Sequence, residues 1–414
     1  MMDWRDTTLG QVCDEVEGVI QTGPFGSQLH ESDYLPTGIP VVMPKDIIEG
    51  RIATESVARV SPEHVERLSK HKLRSGDIVY GRRGDIGRQA LIRHDQEGWL
   101  CGTGCLRISL GEAVVSPVFL HYYLRQQDVI GWISNQAVGV TMPNLNTAIL
   151  RSVPVRFPIP AVQRQIADIL SAYDDLIENN TRRIHILEQQ AQALYREWFI
   201  NYRFPGHAKV KLVDSTLGKI PQGWRVLPVT EAIIMNPKTT VPADGEKPFV
   251  PMTSLSTDSM LITDIESRTG NSGAKFKNGD TLFARITPCL QNGKTAFVQC
   301  LQGDGDVAFG STEFIVMRSN TVTPEYVYLL ARSAAFRDNA IKSMSGATGR
   351  QRVQEGCFDK FLIAEPDGCQ LAAFTEVVRP MFSLVHSLAT KNTNLRRCRD
   401  LLLPRLLSGE LDVS

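Results

Sequence analysis

One stretch of this chain, residues 161–200, constrains the fold more than any other. Ile166, Leu170, Tyr173, Ile177, Asn180, Ile184, Leu187, Ala191, Leu194 and Trp198 follow one another at steps of four and three. Such a heptad seam belongs to a helix that packs along its whole length against another long helix. The spacing predicts a helix from Ala161 to about Ile200, with Arg164, Asp168, Asp174, Glu178, Arg182, Arg183, Glu188 and Gln192 on a solvent-facing side. At about 1.5 Å per residue, a helix of about 40 residues spans about 60 Å, more a spacer than a core element.

A partner with the same rhythm lies near the other end of the sequence. Leu371, Phe374, Val378, Met381, Val385, Leu388, Asn392, Leu395, Cys398 or Arg399, and Leu402 form a second seam. Each seam holds one asparagine, a residue that lowers stability when buried but fixes register. If the helices run antiparallel, with Ile166 opposite Leu402 and Trp198 opposite Leu371, Asn180 and Asn392 fall within about one layer of each other. The expectation is that they lie close in space; the alternative is that one or both face solvent. Pro380 leaves two readings open: a kink, or the first position of a shorter helix.

The segments before the two helices repeat each other. Ser75-Gly76-Asp77-Ile78-Val79-Tyr80 matches Asn278-Gly279-Asp280-Thr281-Leu282-Phe283, and Gly76 to Gly279 is an offset of 203. Trp4 has a counterpart in Trp224, and Pro160 matches Pro366 at an offset of 206. Between these anchors both halves carry a basic loop, a strand, a helix opened by proline and a glycine-containing loop, in the same order. Near-constant offsets over a unit of this length indicate duplication. The fold class that follows is α+β: two globular mixed α/β domains joined by two long helices packed as an antiparallel coiled coil, with an internal pseudo-two-fold repeat. Dimeric DNA readers place two heads on paired half-sites in this way, and here one chain holds both heads.

Composition sets the outer limits. With 414 residues, 42% hydrophobic and 22% charged, the chain is an ordinary globular protein large enough for several cores. Its formal net charge is zero, so any basic surface must come from segregation of charge within the fold. No apolar run reaches the roughly 18 residues of a membrane span. The polar opening MMDWRDTTLGQ does not resemble a secretory signal, so a cytoplasmic location is expected. The 8 cysteines are scattered and form no zinc-ligand spacing, which predicts free thiols and no metal.

Four stretches now carry a family likeness: PIPAVQRQIADIL heading the first helix, LYREWFINYRFPG at its foot, IPQGWRVLPV opening the second half, and LRRCRDLLLPRLLSGEL, a leucine helix stopped at Pro404 with a loop at Gly409. The chain resembles the DNA-specificity subunit of type I restriction–modification systems from Trp4 to Leu411. The resemblance implies target-recognition domains at 1–159 and 207–366, a spacer helix with its exit loop at 160–206, and a second spacer helix with its tail at 367–414. It implies that each domain reads one half of an interrupted site on double-stranded DNA. It also implies two methyltransferase subunits and ATP-dependent restriction subunits as partners. One departure is visible: in EPDGCQLAAF the glutamine, Gln370, is followed by leucine where isoleucine is usual, which implies a different partner contact for the second arm. A coiled-coil interaction scaffold without base-specific recognition is the alternative reading.

No catalytic constellation and no cofactor site is expected. Asn236-Pro237-Lys238 and Met142-Pro143-Asn144 do not fit a methyltransferase motif, and the glycines of residues 81–87 do not have the spacing of a nucleotide loop. They read instead as a tight turn presenting Arg82, Arg83 and Arg88. Those three with Lys45 in the first half, and Arg285, Thr287, Asn292 and Lys294 in the second, are candidate DNA contacts on corresponding loops. Arginine offers a planar donor fork to guanine and phosphate. The later loops add Thr141, Asn144 and Asn146, and Thr348, Arg350 and Arg352. Each could instead be a solvated loop residue, and the later loops could merely cap the long helix. Trp198, Phe199 and Phe204 are either exposed interaction aromatics or packing residues where the first arm meets the second domain.

Overall fold

The computed structural model describes residues 4–54, 57–84, 86–136, 144–242, 244–303 and 305–413. The chain forms two compact units, Met1–Leu176 with Leu395–Ser414, and Ile177–Asn394. Both divisions fall inside long helices, Pro160–Tyr195 and Gly368–Leu407, so each unit owns part of each helix.

In the first unit a four-stranded sheet runs in the order Val19–Thr22, Cys105–Ser109, Ile78–Gly81, Gln89–Leu91. The second unit repeats that order with Ile233–Met235, Phe314–Ser319, Thr281–Ala284 and Thr295–Phe297. The repeated Gly-Asp turn explains why the central strands start alike. Gly76 and Gly279 sit at φ of +87° and +89°, where a side chain would be strained. Asp77 and Asp280 each accept the backbone N–H three residues earlier at 2.9 Å. A second sheet accompanies each: three-stranded in the first unit, Ala58–Val60, Ile39–Val42 and Leu100–Cys101, and four-stranded in the second, Glu266–Arg268, Lys247–Val250, Val307–Gly310 and Ala274–Lys277.

The long helices complete both cores. In the first unit Ile166 and Leu170 are buried with Leu406, Leu407, Phe119 and Leu150. In the second, Ile184, Ala191 and Trp198 share a core with Phe374, Val378, Val385 and Leu388, while Leu187, Leu194 and Met381 pack at its edge. Ile177 is buried; Tyr173, Leu395 and Leu402 are half-buried. Asn180 Nδ2 donates to Asn392 Oδ1 at 2.9 Å, and Asn392 Nδ2 donates to the Ile177 carbonyl and the Thr181 hydroxyl at 3.2 and 3.1 Å. Within the second unit Asn180 thus meets Asn392 while Phe199 meets Phe374, at 4.7 Å between ring centroids, so the helices are antiparallel there. Trp198 and Phe199 lie inside this aromatic cluster, and Phe204 stacks on Trp224 at 5.6 Å.

Several details depart from the sequence reading. Asp174 and Glu188, placed on the polar face, are buried. Asp174 accepts from Tyr122 Oη at 2.9 Å and Arg125 Nη1 at 3.1 Å, and it pairs with Arg399. Arg399 therefore takes the buried seam slot, and Cys398 is exposed. Glu188 accepts from the Met260 N–H at 2.6 Å and Ser259 Oγ at 2.9 Å. The first helix ends in a π-helical turn, Arg196–Ile200. The second starts at Gly368, capped by Asp367, whose Oδ1 accepts from Cys369 N–H and Gln370 N–H at 2.9 and 3.0 Å. It runs through exposed Pro380, and it passes Pro404 to end at Leu407, so Pro404 does not stop it. Proline removes one backbone donor, and at exposed positions water can satisfy the freed carbonyl.

Candidate nucleic-acid interface

Each unit carries the same pair of loops at the end of its central strand. In the first, the residue after Ile78–Gly81 is Arg82, whose N–H donates to Gly104 O at 2.8 Å and whose carbonyl accepts from Leu145 N–H at 2.9 Å. In the second, Arg285 follows Thr281–Ala284. Its N–H donates to Glu313 O at 2.9 Å, and its carbonyl accepts from Val353 N–H at 2.9 Å. Isolated bridges Arg83↔Asn144 and Ile286↔Arg352 close both loop pairs. Backbone pairing therefore assigns equivalences that the sequence leaves loose: Arg82 with Arg285, Gly104 with Glu313, and Asn144 with Arg352.

The side chains differ at these equivalent positions. Arg82 Nε donates to Asn144 Oδ1 at 3.1 Å and to Leu145 O at 3.2 Å, so this arginine ties its loops together. Arg83 is exposed beside it. Lys45 is exposed on the Pro44–Asp46 turn, and a Cβ added to Gly104 would lie 3.4 Å from Pro44. Asn146 caps the short helix Thr147–Ser152 by accepting from Ile149 N–H at 2.9 Å, so the element it caps is not the long helix. Arg88 lies apart from this pair, on a groove of about 650 Å³ shared with Gln126 and Asp400. Thr141 lies outside the described residues.

In the second unit Arg285 Nη1 pairs with Glu355 Oε1 at 3.0 Å. Arg352 makes a fork to Glu313, with contacts of 2.6, 2.9 and 3.1 Å. The Arg352 guanidinium, as hydrogen-bond donor, holds the Glu313 carboxyl below the usual range. Thr287 is a correction: it is buried, and its hydroxyl accepts from Gln351 N–H at 3.0 Å, so it braces the loop and does not present a contact. Lys294 Nζ donates to Met252 O at 2.9 Å. Asn292, Thr348 and Arg350 are exposed. A groove of about 550 Å³ opens beside Arg285, lined by Lys238, Thr239, Lys275 and Thr312. The sequence reading passed over Glu313, Glu355 and Lys275. The carboxylates act on arginines 39 and 70 positions away, and no local pattern announces such pairs.

A family model described as the type I restriction modification DNA specificity domain matches residues 1–189. The MjaIX type I restriction enzyme specificity subunit of Methanocaldococcus jannaschii is 24% identical over 396 residues, covering 92% of this chain and 88% of the relative. The HindI specificity subunit of Haemophilus influenzae is 22% identical, covering 99% and 100%. Over nearly its whole length the chain is similar to specificity subunits of type I restriction–modification systems. The chain also shares its fold with a solved type I S subunit from M. genitalium. The TM-score is 0.59 at 14% identity, with 100% of this chain and 97% of the other covered. Among the described residues, no helix is long and apolar enough to cross a membrane. No group of three or more His, Cys, Asp or Glu residues there could hold a metal ion.

Proposed function

We propose that this chain is the sequence-reading, non-catalytic subunit of a type I complex, with one reading head in 1–159 and another in 207–366. The observation that carries this reading is the loop pair built twice on the same strand with unlike side chains: Arg82 with Asn144 in one head, Arg285 with Arg352 in the other. Equal scaffolds with unequal donors suit two different half-sites. Arg83 and Lys45 in the first head, and Arg350, Asn292 and Thr348 in the second, are the exposed donors that reach phosphates or base edges. The helices 160–206 and 367–414 act as spacers. Two methyltransferase subunits and the restriction subunits assemble with the chain, and they perform methyl transfer and ATP-driven cleavage in the cytoplasm.

The test is methylome sequencing of cells in which residues 1–159 are exchanged for those of a relative. The expected result is a methylated sequence altered in one half and unchanged in the other. An uninterrupted footprint, or a change in both halves, would refute the two-headed reading.

A further inference from the structure

We propose that Glu313 is a specificity-determining residue of the second head: its carboxylate holds the Arg352 guanidinium until a target half-site displaces it. This deepens the DNA-reading function above and rests on it. Arg352 meets Glu313 through both Nε and Nη2, the bidentate geometry that a phosphate also offers to arginine. Its backbone is pinned on two sides. Arg352 N–H donates to Ser345 O at 2.9 Å, the Arg352 carbonyl accepts from Ser345 N–H at 3.0 Å, and the residue bridges to Ile286. The strand that carries the guanidinium is therefore held in one place. The neighbouring Arg285 is paired with Glu355 through its Nη1.

The first head shows that the fold does not require this carboxylate. Gly104 stands where Glu313 stands, and Asn144 where Arg352 stands. The Arg352 side chain is 48% exposed, and an ion pair so open to water is weakly held. Random duplex offers phosphates everywhere, and a free Arg352 would add one sequence-independent contact to all of them. With Glu313 in place, the exchange of carboxylate for phosphate is favourable only when the remaining half-site contacts press the loop against DNA. Glu313 therefore subtracts from random binding more than from target binding.

The experiment uses the full chain assembled with its methyltransferase partners and two fluorescent duplexes. One has a scrambled sequence; the other carries the sequence that the complex methylates. Binding is followed across salt concentrations. Glu313→Gln is expected to bind scrambled DNA several-fold tighter at low salt, with a log–log salt slope steeper by about one. The double variant with Arg352→Gln is expected to return to the wild-type slope. Arg352→Gln alone leaves the Glu313 carboxylate unpaired and should weaken target binding more than scrambled binding; this arm decides the matter if Glu313→Gln melts early. An unchanged slope in Glu313→Gln, the same gain in the double variant, or equal losses on both duplexes in Arg352→Gln overturns the proposal. A wild-type complex that binds neither duplex overturns the reading function itself.

Discussion

At the scale of single residues, burial decides roles that residue type suggests only loosely. His121 lies within the first unit with Nδ1 against Gln89 Oε1 at 2.9 Å. Burial, aided by Arg125, lowers its pKa from 6.5 to about 3. The unfolded chain binds that proton near pH 6.5 and the folded unit does not, so the stabilisation is complete above 6.5 and is lost as pH falls towards 3. Thermal melts between pH 7 and 4 should show a falling midpoint, and His121→Gln should flatten that fall. Exposed Arg83 and Arg350 give the opposite kind of expectation. Arg83→Gln or Arg350→Gln should leave the melting midpoint unchanged and reduce the salt slope of DNA binding by about one each. Thr287→Val should cost about 1 kcal/mol of stability and leave the salt slope alone, since its hydroxyl serves Gln351. The sequence could nominate these loops because their composition is polar and basic. It could not separate Thr287, turned inward, from Arg350, turned outward, because that depends on a loop 64 residues away.

At the scale of elements, the heptad seam made the long helices legible. Apolar spacing depends only on helical geometry, and the same count pointed to the contact of Asn180 with Asn392. The flanks were not legible. Asp174 and Glu188 sit where a lone helix pair would leave them in water, but the globular parts pack over those flanks. Asp174 there meets Tyr122, Arg125 and Arg399. Although burial raises its pKa, Arg125, Arg399 and Tyr122 outweigh that and hold it low. Asp174→Ala would leave half-buried Arg125 without its carboxylate and buried Arg399 with Asp400 alone, and should cost about 3 kcal/mol, read as a lower denaturation midpoint. Asn180→Leu should cost about 1–3 kcal/mol by leaving Asn392 Oδ1 unpaired. The double variant with Asn392→Leu should recover that loss, and disulfide cross-linking across the seam should then trap more than one register. Gln163, in the first turn of the first helix, has a role no heptad count gives. It is buried, accepting from Ser116 N–H at 2.7 Å and donating to Val114 O and Pro158 O, so it moors the first helix to its own unit.

At the scale of the whole molecule, duplication was legible as a constant offset, and it reappears as two sheets with one strand order. The loop equivalence was not, because the offset drifts from 203 at Arg82 and Arg285 to 208 at Asn144 and Arg352. The divisions between the units lie within the helices, and the first unit includes residues from both ends of the sequence. A chain cut after residue 206 would lack Arg399, Leu406 and Leu407, and should melt well below the full chain; covalently appending residues 395–413 should restore the midpoint. The same feature imposes an order on synthesis. As the polypeptide leaves the ribosome, the first unit must wait, with the Leu406 and Leu407 side of its core open, while the entire second unit is translated. Only the arrival of Leu406 and Leu407 closes it. The earliest-made part of this protein is thus among the last to mature, and nascent chains should depend on chaperones for that whole interval.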